Sequence, residues 1–469
     1  MSELPDGIPA ADEVVPRDSA SGVVVRPAAG GGREVLLGLR SRKSRFMPAN
    51  LSFPGGGLDD EDRPGEAGAY ERCAAREVAE ETGLRVDPAM WCAAGVRTTP
   101  PMFPLRFHTR FFVAEVPAGT GLPEVPPSPE ENEEVSFERA DSVLDRWASG
   151  ECRIPPPALP IFRVLAESDH LSVKDLADRI AAANDQEQRA PRIEFSPGTW
   201  MLPVRTATLP PATHTNVWMP GGRRFVIIDP GSGEEEENRR LLEVVGRRRA
   251  LGHEVDSIVL THHHRDHIAG CVSLAAELGL PVRAHPDTLD VVQATVPAGR
   301  SLRFVAVNDG DEIDLDGVVL RAHHTPGHAS GHLVFHLVDR GQLVAGDLLS
   351  GLSTIMIDPV EGDMGLYLAS LERARDLGCR QLLPGHGPPL PEKALDRLIA
   401  HRRDRERKIM EQLQAPRSDL SEIAMRTYDD VPQMPLALTE RQTLSHLLLL
   451  ERQGKVRRRD DAARVWFAV

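Results

Sequence analysis

The chain has 469 residues and a formal net charge of −15, with 55 Lys and Arg against 70 Asp and Glu. That length predicts two to four domains, and the acidity excludes a general nucleic-acid-coating role while allowing a local basic segment. Five widely spaced cysteines without a Cys-x-x-Cys exclude a disulfide framework and predict a reducing, cytoplasmic setting, and no apolar run reaches the ~18 residues of a membrane span, so no membrane partner is expected.

Residues 1–20 are acidic and proline-bearing. They lack the basic start and apolar core of a signal peptide and are expected to be disordered. Strands are predicted over 22–28 and 34–39, separated by Ala29-Gly30-Gly31-Gly32. A sharp turn, Phe53-Pro54-Gly55-Gly56-Gly57-Leu58, precedes a helix over 68–82 that ends at Gly83. Glu77, Glu80 and Glu81 lie at i, i+3 and i+4 on that helix and share a face. Clustered carboxylates repel one another unless water or a cation screens them. They suit Mg²⁺ or Mn²⁺ with a phosphate completing the shell, or else form a solvated acidic face.

The stretch Arg76-Glu77-Val78-Ala79-Glu80-Glu81-Thr82-Gly83-Leu84, behind a glycine turn, resembles the Nudix hydrolase box. The resemblance covers about 20–170. It implies a mixed sheet flanked by helices and cleavage of a diphosphate linked to another moiety. Carried over by position, Glu80 and Glu81 would bind metal, Glu77 would bind metal or help activate water, and Arg76 would hold the glutamates by ion pairing. The box is loosened: the segment from Gly57 to Arg76 is long, and Gly68 stands eight residues before Arg76, where glutamate is usual. This stretching resembles the coenzyme-A-diphosphatase branch. The segment Gly150-Glu151-Cys152-Arg153-Ile154-Pro155-Pro156-Pro157, with a helix near 159–167, is similar to that branch's end. Residues 125–137 read as a proline-rich acidic loop, with a further metal-binding glutamate as the alternative. Residues 185–192 have linker composition, so the first domain is placed at 21–190.

From 194 the rhythm becomes strand, loop, helix. The central stretch is Thr261-His262-His263-His264-Arg265-Asp266-His267, between an apolar strand at 257–260 and a helix over 268–278. In open α/β folds, the carboxyl end of a strand is where reaction sites sit. Four ligands within six residues do not fit one tetrahedral centre, and their spacing suits two adjacent ions. Other strands each deliver a polar residue past their ends. The strand 224–228 leads to Asp229, 318–322 to Thr325-Pro326-Gly327-His328, 343–345 to Gly346-Asp347, and 381–383 to Pro384-Gly385-His386-Gly387.

The sum is five imidazoles and two carboxylates. His262, His264 and His328 are expected to hold one ion, Asp266, His267 and His386 the other, and Asp347 to bridge them. Two ions lower the pKa of a bound water and polarise the scissile bond, and Asp266 is placed to orient that water. His263 falls between ligands and is expected to point away. His323 and His324 read as surface or structural residues, and His332, at i+4 from His328, as a partner lying behind the ligands. Asp229 is expected to hydrogen-bond a ligand histidine.

These motifs resemble the metallo-β-lactamase superfamily over about 194–390. The resemblance implies an αββα sandwich and a hydrolase with two Zn²⁺, Fe or Mn ions. The superfamily cleaves thioesters, β-lactams, phosphodiesters and other bonds.

The tail, 391–469, carries 16 Lys and Arg against 13 Asp and Glu. Helices are expected over 401–413, 419–428 and 439–453, then a hairpin around Asp460-Asp461, which is a winged-helix pattern. The expected role of the tail is to pack on the hydrolase and shape its mouth. A metallo-β-lactamase domain with such a tail resembles the lactamase-beta-like-2 group, which includes single-strand endoribonucleases and relatives acting as thioesterases. The resulting expectation is a bifunctional metal-dependent hydrolase of nucleotide, coenzyme A or thioester substrates. The alternative is an endoribonuclease whose winged helix aids RNA binding and whose first domain senses nucleotides.

Overall fold

The computed structural model describes residues 14–44, 47–103, 105–123, 128, 130–189, 193–413, 418–459 and 465–468. The chain divides into one unit spanning Glu13–Leu202 and another holding Pro203–Val469.

The first unit starts with strands β1 (Arg17–Pro27) and β2 (Arg33–Arg40), then the short β3 (Leu51–Ser52) and β4 (Gly55–Gly57). Helix α1 (Ala69–Thr82) follows, with Gly83 as its left-handed C-cap at φ 74°. Next come β5 (Cys92–Thr98), β6 (Phe107–Glu115), β7 (Asn132–Glu138), α2 (Ala140–Ser149), α3 (Leu159–Glu167) and α4 (Val173–Arg189). The sheet runs β3-β2-β1-β6-β5, with β4 on β1 and β7 on β2. Parallel pairing of β1 with β6 makes the sheet mixed. Alternate residues of β1 serve two cores. Val23 and Val25 pack with Trp147, Phe162 and Leu176, while Ala20 and Val24 pack with Cys73, Val78 and Trp91.

Three expectations change here. Of residues 1–20, expected to be disordered, 17–20 are strand, because Arg17 already pairs with Phe107; residues 1–13 lie outside the described set. Residues 132–137 of the expected acidic loop are strand, because Leu36–Leu39 of β2 pair with Glu134–Phe137; residues 125–127 and 129 lie outside the described set. The linker composition of 185–189 is helical, since α4 runs on to Arg189 and Asn184 donates to the Ala94 carbonyl at 2.9 Å. The rest of that stretch, 190–192, lies outside the described residues. A hairpin of β8 (Ile193–Ser196) and β9 (Thr199–Arg205) follows. As far as Leu202 it groups with the first unit: Trp147 donates to the Phe195 carbonyl, and Arg163 pairs with Glu194 at 3.0 Å.

The second unit continues with β10 (His214–Pro220), β11 (Arg224–Ile228), α5 (Glu235–Ala250), β12 (Glu254–Val259), α6 (Arg265–Ile268), α7 (Cys271–Leu278), β13 (Val282–Ala284), α8 (Pro286–Ala294) and β14 (Phe304–Ala306). Strands β15 (Glu312–Asp314), β16 (Val319–His324), β17 (Leu333–Leu337) and β18 (Gln342–Gly346) lead to α9 (Met364–Asp376), β19 (Gln381–Pro384) and β20 (Leu390–Pro391). One sheet is ordered β14-β13-β12-β11-β10 and the other β15-β16-β17-β18-β19-β20. Helices α5 and α8 pack on β12 and β13. Against the second sheet, α9 contributes Met364, Tyr367 and Leu371 to a core with Val334, Leu343 and Leu382. This is an αββα arrangement.

The single helix expected over 268–278 is broken into α6 and α7. Gly270 approaches the chain of the β11 loop so closely that an added Cβ would lie 2.7 Å from the Pro230 and Ser232 carbonyls.

The C-terminal segment stays with the second unit rather than separating from it. It comprises α10 (Lys393–Gln412), β21 (Ser418–Asp419), α11 (Leu420–Thr427), α12 (Leu436–Arg452), β22 (Val456–Arg458) and β23 (Val465–Ala468). The strands form a β21-β23-β22 sheet, and the expected turn at Asp460-Asp461 lies outside the described residues. Trp466, fully buried, packs among Ile409, Ile423, Leu447 and Leu450.

Candidate metal centre and carboxylate pocket

In the second unit, strands β11 and β12 run parallel, as do β18 and β19, and the segments that follow β11, β12, β16, β18 and β19 carry the candidate ligands. Asp229 follows β11 in a left-handed conformation, φ 54°. Its Oδ1 accepts from the Thr261 amide at 2.8 Å, and its Oδ2 accepts from the Thr261 hydroxyl at 2.6 Å. The ring Nδ1 of His267 lies 2.9 Å from the same Oδ2. One carboxylate therefore fixes both ends of the histidine loop.

The five imidazoles share a pattern: one nitrogen is engaged by the protein and the other faces inward. His262 Nδ1 meets the Thr261 hydroxyl at 2.9 Å, and its Nε2 lies 3.1 Å from His264 Nδ1. His264 turns Nε2 to Glu361 at 3.4 Å. His328 Nδ1 meets the Met356 carbonyl at 2.9 Å, and His386 Nδ1 the His214 carbonyl at 2.9 Å. The inward atoms gather into two groups, His262–His264–His328 and Asp266–His267–His386.

Asp347, after β18, lies between the groups. Its Oδ2 is 3.6 Å from His328 Nε2, and its Oδ1 is 3.4 Å from both His267 Nε2 and His386 Nε2. Its amide donates to His332 Nε2 at 3.2 Å, and His332 Nδ1 meets the Thr325 hydroxyl at 2.9 Å. His332 thus lies behind the ligand set, as its i+4 spacing suggests. Gly385 leaves the room required: an added Cβ would sit 2.6 Å from Asp347 Oδ1.

Electrostatics divide the centre. Burial, then neighbouring His267, His264 and His328, hold the His262 imidazole well below its ordinary pKa. Burial and His264 bring His328 down to about 4. Burial also disfavours charge on His386, but the Asp347 and Asp266 carboxylates outweigh it and raise this ring to about 10. Against the same burial, Asp347, Asp266 and Asp229 raise His267 well above the ordinary value. Buried carboxylates need positive charge, and the centre is built to receive it. His267 Nε2, His328 Nε2 and Asp347 Oδ1 are buried without a hydrogen-bond partner. Imidazoles and carboxylates around such atoms fit divalent metal ions, which would take the place of the protons on His267 and His386.

His263 leaves both groups and bonds Glu361. His323 lies 3.5 Å from Arg373, and His324 bonds the Ser330 carbonyl, so these two are apart from the centre. Glu361 was not apparent from the sequence. It lies 97 residues from His264 on a loop without ligand-like spacing.

In the first unit, Glu77 and Glu81 are buried while Glu80 is exposed. Gly55 donates its amide to Glu81 Oε1 at 3.2 Å, and Asn132 donates to Oε2 at 2.7 Å. Burial, countered by Arg76, raises Glu77 to about 7; burial, countered by Asn132, raises Glu81 to about 7. Such carboxylates favour either a proton or a cation. Arg76 bonds Glu77 and Glu80, each at 2.9 Å. It also bonds Asp62 at 2.8 Å and the Gly57 carbonyl at 3.0 Å.

Asp62 is the partner that sequence reasoning missed. It lies in a one-turn helix capped by Asp59, and the acidic run Asp59-Asp60-Glu61-Asp62 was its signal. Glu77 and Glu81 face a cavity of about 510 Å³, also lined by Arg40, Phe53, Phe107 and Phe111. Glu130 and Glu131, from the expected acidic loop, reach its wall.

These features define a protein of two α/β units, one with a paired His/Asp centre and one with a carboxylate-lined pocket. Residues 210–386 match the model of the metallo-beta-lactamase superfamily, and residues 16–153 that of the NUDIX domain. The Beta-lactamase-like protein 2 homolog of Drosophila melanogaster is 30% identical over 256 residues, covering 52% of this chain and 84% of that protein. The chain belongs to the beta-lactamase-like protein 2 family of the metallo-β-lactamase superfamily and carries a Nudix domain ahead of it. Lactamase-like protein adaB of Aspergillus niger is 31% identical over 211 residues, 44% of this chain, and the chain spans 61% of that protein's length. Atrochrysone carboxyl ACP thioesterase AgnL7 of Paecilomyces divaricatus is 29% identical over 221 residues, 46% of this chain and 65% of that one. Among the described residues, no helix is long and apolar enough to cross a membrane.

Proposed function

We propose that the chain is a bifunctional metal-dependent hydrolase. In the second unit, His262, His264 and His328 hold one divalent ion, and Asp266, His267 and His386 hold a second, with Asp347 shared between them. The observation that carries this reading is the inward aim of His267 Nε2, His328 Nε2 and Asp347 Oδ1, buried without partners between the two groups. Zn²⁺, Fe and Mn all suit these donors. Bound ions would supply Lewis acidity and a water of lowered pKa. Asp266, whose Oδ2 lies 3.5 Å from His386 Nε2, would orient that water. The substrate class is an ester or thioester, a reading supported by the thioesterase name of the Paecilomyces relative.

In the first unit, Glu77, Glu80 and Glu81 hold Mg²⁺ or Mn²⁺ for cleavage of a diphosphate bond in a nucleotide or coenzyme A derivative. Glu77 assists proton removal. The 510 Å³ cavity, with aromatic walls and Arg40, has room for a small molecule of this kind. The C-terminal helices and sheet are read as a winged helix that supports the second unit. The five free cysteines accord with a cytoplasmic setting.

The test is an activity screen of wild type, Glu80→Gln and His264→Ala. The panel holds coenzyme A, acyl-coenzyme A, nucleoside diphosphate compounds and short single-stranded RNA. The expected result is loss of diphosphate cleavage in the first variant and loss of ester or thioester hydrolysis in the second. Both variants matching wild type would overturn the reading, and RNA cleavage lost with His264→Ala would transfer it to a nuclease.

A further inference from the structure

The loop 355–363 touches the metal centre at two points. Its Met356 carbonyl engages His328 Nδ1, and its Glu361 carboxylate engages His264 Nε2 as well as His263. Two of the three ligands of the first ion are thus oriented from one loop. The loop is pressed against the turn that carries His328: the Asp363 amide donates to the Gly327 carbonyl at 2.8 Å, and Gly362 has no room there for a Cβ.

This loop is held from the C-terminal segment. Gln442 Oε1 on α12 accepts from the Ile357 amide at 3.1 Å, and Ser445 donates to the Ile357 carbonyl. Arg441 pairs with Asp358, and Arg452 with Asp363. From α10, buried Arg402 donates to the Ile355 carbonyl. One helix therefore grips the loop on both sides of Glu361 while contacting none of the ligands.

We propose that α12 positions the first metal subsite through this loop, with Glu361 as the positioning carboxylate of His264. A carboxylate on the far nitrogen of a ligating histidine fixes the ring's tautomer and orientation and strengthens its inward nitrogen as a donor. Asp229 makes the corresponding contact to His267. Each half of the centre thus has its own carboxylate behind a ligand ring, and the one behind the first half depends on the C-terminal segment. The inference rests on the two-ion reading of the centre.

The test uses full-length protein stripped of metal and titrated with Co²⁺, followed by visible absorption and chelator competition. Wild type is expected to take two ions at the centre; failure at this step would sink the two-ion reading itself. Glu361→Ala should weaken the first ion by about 10-fold or more and alter its absorption bands, leaving the second unchanged. Glu361→Gln, which keeps an acceptor, should recover part of the loss. Gln442→Ala combined with Arg441→Ala, remote from the ligands, should shift the same ion in the same direction. Glu361 and Arg441 are surface residues, whereas Gln442 is buried, so an unchanged affinity for the second ion and an unchanged thermal melt are required of the helix variant to separate positioning from folding. Wild-type affinity and spectra in Glu361→Ala, or in the helix variant, would overturn the proposal. So would equal weakening of both ions.

Discussion

Asp229 divides two carboxylate oxygens among the Thr261 amide, the Thr261 hydroxyl and the His267 ring. Replacing it by alanine strands three buried partners, and each lost charge-assisted bond costs about 1.5–3 kcal/mol. Asp229→Ala should lower affinity for the second ion about 10- to 100-fold, measured by chelator competition; an unchanged affinity would contradict the role assigned to it. The glutamates of the first unit give a pH signature. Burial raises Glu77 and Glu81 from 4.5 to about 7 in the folded chain. A raised carboxyl pKa means the folded state holds more protons than the unfolded one between these values, so stability falls as pH rises through that window. Metal-free protein should therefore lose thermal stability between about pH 4.5 and 7. Mg²⁺ should restore it at the upper end, and a flat profile in melting experiments would contradict this. The candidate centre was legible because His262, His264, Asp266 and His267 crowd behind one apolar strand, while His328, Asp347 and His386 each sit beside a glycine just past the end of another. Glu361 and Asp62 were not, because their partners are 97 and 14 residues away and no periodicity links them.

At the scale of elements, the C-terminal segment depends on a small core. Trp466 on β23 is fully buried against α10, α11 and α12. Trp466→Ala should cost about 3–5 kcal/mol and loosen 393–468 first. Hydrogen exchange would show this as lost protection in α10 to α12, and unchanged protection would contradict the packing described. Strands such as β11, β12 and β19, and helices α1 and α3, were readable from apolar runs and capping glycines. The break between α6 and α7 was not, since it is imposed by a carbonyl pair across the fold rather than by the helix's own residues. The helical 185–189 segment was misread for a related reason: polar composition resembles a linker, but tertiary bonds such as Asn184 to Ala94 settle its conformation.

Over the whole molecule, chemistry is concentrated in two places of opposite design. The second unit gathers imidazoles around shared buried carboxylates, a donor set for borderline transition metals. The first presents clustered carboxylates beside a roomy cavity, a donor set for a hard cation carried with phosphate. The most direct test of this account is the count of tightly held transition-metal ions per chain in purified wild-type protein and in Asp347→Ala, read by elemental analysis after gel filtration. The account predicts two ions in wild type and a loss in the variant, because the bridging carboxylate serves both groups. Absence of bound ions from wild type, or the same count in Asp347→Ala, would contradict it.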